Sequence, residues 1–132
     1  MPIEWNEDLK VGVEEIDEQH RELFRRVNDL AEAMWDGKGK EESGKVMDFL
    51  GDYVVTHFAT EERHMSSQGY PDYAAHKRLH DRFVEDFYTL RSQFDSGEVT
   101  SSMVIRILDE TCEWLKSHIK GTDKKLGSFL NR

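Results

Sequence analysis

The chain has 132 residues, 37% hydrophobic and 34% charged, and its 27 acidic residues against 18 basic ones give a formal net charge of -9. That length is one domain's worth, enough to bury a core without disulfide staples, and the periodic stretches are too apolar for disorder. The acidic balance excludes the phosphate attraction behind nucleic-acid binding. The lone Cys112 excludes an internal disulfide, and no stretch resembles a signal peptide or a membrane span, so a cytoplasmic protein without stable membrane insertion is expected.

The first 16 residues, MPIEWNEDLKVGVEEI, lack helical periodicity but carry Trp5, Leu9, Val11 and Val13. They are expected to form a non-helical arm packed across the domain. Beyond them, the only prolines being Pro2 and Pro71, glycines at 37 and 39, 69, 97 and 121 mark off four long windows. In the first, Ile16, His20, Leu23, Phe24, Val27, Ala31 and Met34 recur at spacings of three and four, which predicts a helix over 17–36 with Asp17 as its N-cap. The second repeats the pattern with Val46, Leu50, Tyr53, Val54, His57, Phe58, Glu61 and Met65, a helix over 41–65.

Pro71 suits the first position of a third helix, 71–95, whose stripe is Tyr73, His76, His80, Phe83, Val84, Phe87 and Phe94. A fourth, 101–120, starts near Thr100 or Ser101, carries Val104, Ile107, Leu108, Thr111, Leu115, His118 and Ile119, and has Gly121 as its breaker. Four such helices on short loops predict a single all-α domain over 1–132, an up-down-up-down antiparallel four-helix bundle.

Five of the six histidines and Glu61 fall on these inner stripes. Buried polar groups need partners. On a helix, residues four apart are neighbours, so His57 with Glu61 and His76 with His80 each present two donor atoms to one point between helices. His20 and His118 come from the first and last helices. With antiparallel neighbours all of these lie at one end of the bundle, a convergence that plain packing does not account for. His64 is a full turn nearer the loop and reads as a rim residue, Glu62 as a solvated surface charge, and Cys112 as a small core residue. Carboxylate-rich di-iron bundles with paired ExxH motifs match poorly, and one zinc would leave histidines over. A histidine-rich site for two metal ions uses all of them.

The motifs QH at 19 and 20, HFxxEExxM from 57 to 65, GYP at 69 to 71, HxxxH at 76 and 80 and HxxxxD at 118 and 123 resemble those of the hemerythrins. The opening EWNEDLKVGVEEIDEQH looks especially like the single-domain bacterial members. The resemblance covers essentially the whole chain. It implies a non-haem di-iron cofactor, Fe2+ or Fe3+ with an oxo or hydroxo bridge, with His76, His80 and His118 on one iron, His20 and His57 on the other, and Glu61 and Asp123 bridging. Asp123 would not be chosen from periodicity, because i+5 from His118 is rotated by about 140 degrees on an ideal helix. The resemblance therefore requires a π-type turn or a helix end near Gly121.

Two six-coordinate irons offer about twelve positions. These ligands and the oxygen bridge fill all but one, on the iron with two histidines, where the family binds dioxygen reversibly. Leu23, Phe58, Trp114, Leu115 and Ile119 match the family's apolar oxygen pocket, and plain core packing accounts for them equally unless a gap exists among them. The resemblance thus implies storage, delivery or buffering of dioxygen, not catalysis. The alternatives are a di-iron enzyme acting on peroxide, nitric oxide or ferrous iron, which would need a proton source that the inner stripes do not supply, and an oxygen- or redox-sensing domain, which would need an output domain. A histidine phosphotransfer bundle using His64 would leave the five inner histidines unexplained.

Overall fold

The computed structural model describes residues 3–132; Met1 and Pro2, the start of the expected arm, lie outside the described residues. A short 3-10 turn, Glu7–Leu9, precedes α1 (Glu14–Trp35), α2 (Lys40–Gln68), α3 (Tyr73–Ser96) and α4 (Ser101–His118), and a π turn at Ile119–Asp123 leads into α5 (Lys124–Leu130). No strand occurs among the described residues. The connections are short, so successive long helices run antiparallel; α1 packs on α2 and α4, and α2 on α3. No described helix is long and apolar enough to cross a membrane.

The helices begin and end for local reasons that differ from those expected. Asp17 is not an N-cap: α1 starts three residues earlier, at Glu14, after Val13. Its buried carboxylate instead reaches back into the arm, where Oδ1 accepts from the Val11 N–H at 2.8 Å and Oδ2 from the Gly12 N–H at 3.2 Å. Gly12, at φ 92, makes the bend. α2 runs three residues past the expected end, to Gln68, and closes on Gly69 in the left-handed region (φ 67). Pro71 lies in the turn before α3 rather than at its first position. Gly121 does not end the fourth helix, which continues through the π turn into α5.

The arm is less extended than expected, since Asn6 caps the turn at Glu7–Leu9 and residues 14–16 belong to α1. Ile3, Leu9 and Val11 are buried, and Ile3 exchanges two hydrogen bonds with the Asn28 side chain, at 2.9 and 2.8 Å. The arm lies so close to α5 that any side chain at Gly127 would collide with the Val11 carbonyl.

Candidate metal centre

His20 lies in the second turn of α1, His57 and Glu61 in the second half of α2, His76 and His80 in the first three turns of α3, and His118 at the end of α4. These positions share one level of the bundle. All six, with Asp123 from the π turn, are at most 6% exposed. Their donor atoms form two groups, each within 4.8 Å: Glu61, His76, His80, His118 and Asp123 in one, His20, His57, Glu61 and Asp123 in the other. The two carboxylates belong to both.

Each histidine turns Nε2 inward. His57 Nε2 is 2.9 Å and His20 Nε2 3.3 Å from Glu61 Oε2; His80 Nε2 is 3.1 Å and His76 Nε2 3.2 Å from Glu61 Oε1. Asp123 stands 3.1 Å from Nε2 of His20, His76 and His118.

Hydrogen-bond logic fixes two tautomers. The Thr60 hydroxyl donates to the Thr56 carbonyl at 3.1 Å and accepts from the Gln19 amide nitrogen at 3.1 Å, so the Gln19 oxygen faces His57 Nδ1, 2.8 Å away. His57 must therefore carry its proton on Nδ1 and point a bare Nε2 lone pair inward. Glu62 does the same for His80, accepting from Nδ1 at 2.9 Å. Glu62 is thus not the solvated charge its angle on the helix suggested, because a long side chain at the edge of α2 reaches a neighbour on α3 that sequence spacing does not reveal.

The consequence is a cluster of buried nitrogen and oxygen atoms facing one another with too few hydrogen bonds. His20 Nε2, His80 Nε2, His118 Nε2, Glu61 Oε2 and Asp123 Oδ1 are all buried without a hydrogen-bond partner. Orphaned buried polar atoms are costly. Electrostatics point the same way: burial favours a neutral His20, yet the Asp123 and Glu61 carboxylates outweigh it and raise its pKa to about 9, and His76 is likewise pushed up to about 9. Burial, helped by the neighbouring His20, lowers His57 against the pull of Glu61 and Asp123. Burial would also protonate Glu61, but the imidazoles of His57, His20 and His76 hold it well below the usual carboxylate range. Asp123 is depressed by His118 and His20 against both burial and the charge of Glu61. Two anions ringed by five imidazoles form a hole for positive charge, and mixed nitrogen and oxygen donors suit divalent first-row metals. The residues fit a pair of cations sharing two carboxylates.

Asp123 reaches this hole through the π turn, in which the Lys124 N–H bonds to the Ile119 carbonyl, five residues back. A turn widened by one residue swings position i+5 under position i. The local distortion that the resemblance required is present.

Of the five expected pocket residues, Leu23 and Leu115 line an apolar cavity of about 190 Å³ that continues along the bundle past Val27, Leu50, Phe87 and Leu108. Each is one turn from a candidate ligand, though none of the candidate ligands lines this partly open cavity. The remaining three are set differently. Phe58 stacks flat on His80, with centroids 3.8 Å apart; Trp114, half-buried, stacks on His118 at 4.7 Å; Ile119 is simply buried. His64 stands outside both groups, paired with Glu15 Oε1 at 2.9 Å, and Cys112 is buried, which raises its thiol pKa. Gln19 entered the sequence reading only as part of the QH motif, without a role, and Thr60 was missed, its one signal being a polar residue just before Glu61.

With this geometry established, comparison with known proteins is direct. Residues 11–130 match the family described as the hemerythrin HHE cation binding domain. The chain is 38% identical over 120 residues to a bacteriohemerythrin of Stenotrophomonas maltophilia (91% of this chain, 76% of the relative). It is 39% identical over 116 residues to that of Methylococcus capsulatus (87% and 86%), and 31% identical over 124 residues to a myohemerythrin of Theromyzon tessulatum (94% and 90%). A wild-type hemerythrin crystal structure superposes with a TM-score of 0.89 at 35% identity, covering all of both chains.

Proposed function

We propose that this chain, which belongs to the hemerythrin family, binds dioxygen reversibly at a pair of non-haem irons, and so stores, delivers or buffers it. The observation that carries the reading is the set of buried, unpartnered Nε2 and carboxylate atoms in two groups that share Glu61 and Asp123. His76, His80 and His118 would hold one iron and His20 and His57 the other. Such a pair, with an oxo or hydroxo bridge and access to Fe2+ and Fe3+, would supply the two electrons that reversible dioxygen binding needs.

The chain's own contribution is placement and exclusion. Gln19 and Glu62 hold His57 and His80 with lone pairs inward. Leu23 and Leu115 keep the adjoining cavity apolar, and the Trp114 indole is far too weak an acid to deliver a proton. Asp86, the one acid among the cavity's lining residues, belongs to a charged pair with Arg82 that is about three-quarters exposed, which favours oxygen binding over a di-iron enzyme. We place the protein in the cytoplasm, where a lone thiol such as Cys112 stays reduced.

The test is the visible spectrum of anaerobic, iron-loaded, reduced protein before oxygen, after it, and after its removal. A band that appears and then disappears is the expected result. A ferric spectrum that persists after deoxygenation would overturn reversible binding, and no colour would overturn the iron pair.

A further inference from the structure

We propose that Glu62 is a positioning residue for His80, and that the contrast between its carboxylate and the neutral amide of Gln19 behind His57 makes the two metal positions electronically unequal. The inference rests on the two-iron reading above. Behind the inward-facing Nε2 atoms the five histidines are treated differently. His20 Nδ1 and His76 Nδ1 are buried with no partner. His57 Nδ1 donates to an amide oxygen at 2.8 Å, whereas His80 Nδ1 donates to a carboxylate at 2.9 Å.

The anionic partner is built in. The Glu62 side chain is 20% exposed; Lys77 Nζ stands 3.7 Å from its other oxygen and is itself tied to Asp81 at 2.9 Å. The Phe58 ring, 2° from parallel with the His80 ring, fixes the plane in which that imidazole lies. Plane and in-plane direction are therefore both set, one by stacking and one by Glu62. A histidine whose N–H points at a carboxylate is a stronger electron donor through its other nitrogen than one whose N–H points at an amide, since the charge-assisted bond draws the proton away. The position held by His76, His80 and His118 is thus the one that favours ferric over ferrous iron.

The test uses the full chain loaded with iron, with Glu62→Gln, which keeps an acceptor but removes the charge, and the reverse change Gln19→Glu. Iron per chain, circular dichroism, Mössbauer spectra and a stepwise reductive titration are read for each. The expected result is two irons and an unchanged fold in Glu62→Gln, with the ferric preference of one position weakened about tenfold, a shift near 59 mV for one electron. Gln19→Glu should move the other position in the opposite sense. Glu62→Gln that leaves both potentials and both Mössbauer signals unchanged overturns the proposal, as does one that loses iron without a change in potential, which would make the role purely structural. A parent protein that never binds two irons overturns the underlying reading instead, and the iron content of the unaltered chain tells these failures apart.

Discussion

The two ends of this bundle are made from the same four helices and differ in nearly everything else. Away from the metal centre, Leu30 and Met34 of α1, Met47 and Leu50 of α2, Phe87, Leu90 and Phe94 of α3, and Val104 and Leu108 of α4 close on one another as an ordinary apolar core. At the other end five imidazoles and two carboxylates occupy the same interior with polar atoms left unpartnered. One end gains free energy from burial, and the other costs it until a cation arrives. Stability and function are therefore separable along the bundle axis, which tells where substitutions will act.

The sharpest way to break the comparison is at Glu61, shared by both ligand groups. Glu61→Ala is expected to cut iron from two per chain to one or none and to abolish the oxygen-dependent absorption band, while the far-ultraviolet circular dichroism stays helical. Loss of the fold together with the iron would mean that the apolar end cannot stand alone. The converse is Leu30→Ala at the apolar end, where Leu30 is fully buried. It should cost about 2–5 kcal/mol in denaturant unfolding, with iron per folded chain unchanged.

Asp17 sharpens the picture, because it stabilises the fold from within the functional end. Its carboxylate is the partner of the Val11 and Gly12 N–H groups, which hold the arm against α1. Asp17→Ala leaves those donors unpaired and should cost about 1–3 kcal/mol. Hydrogen exchange at residues 11 and 12 should rise while exchange in α2 and α3 does not, and protection that survives the change would remove Asp17 from this role.

The helices were legible because an amphipathic stripe is a local, repeated signal, and His20, His57, Glu61, His76, His80 and His118 were legible because they sit on those stripes. What escaped depends on groups distant in sequence or on departures from ideal geometry. Asp17 looked like a helix cap because capping residues are recognised by position, and nothing local says that its carboxylate will face backwards into an arm. Glu62 looked solvated because its angle on α2 points away from the centre, and only the approach of α3 supplies His80 as partner. Asp123 was found through the family resemblance alone, since its spacing from His118 is wrong for an α-helix and becomes right only in the π turn.

Gly121, in the middle of that turn, gives the smallest expected effect and the finest test of what makes it. If glycine's conformational freedom opened the helix, Gly121 would adopt a positive φ or sit against a neighbour that forbids a side chain. It does neither: it is not among the positive-φ glycines, and a Cβ there would meet nothing within 4 Å. The turn is better explained by what it achieves, carrying the Asp123 carboxylate to 3.1 Å from His20, His76 and His118 while α4 and α5 remain helical on either side. Gly121→Ala should therefore raise stability by about 0.4–1 kcal/mol, by restricting the unfolded chain, and leave two irons bound. If it costs iron instead, the backbone at Gly121 and not the side chain of Asp123 governs the turn.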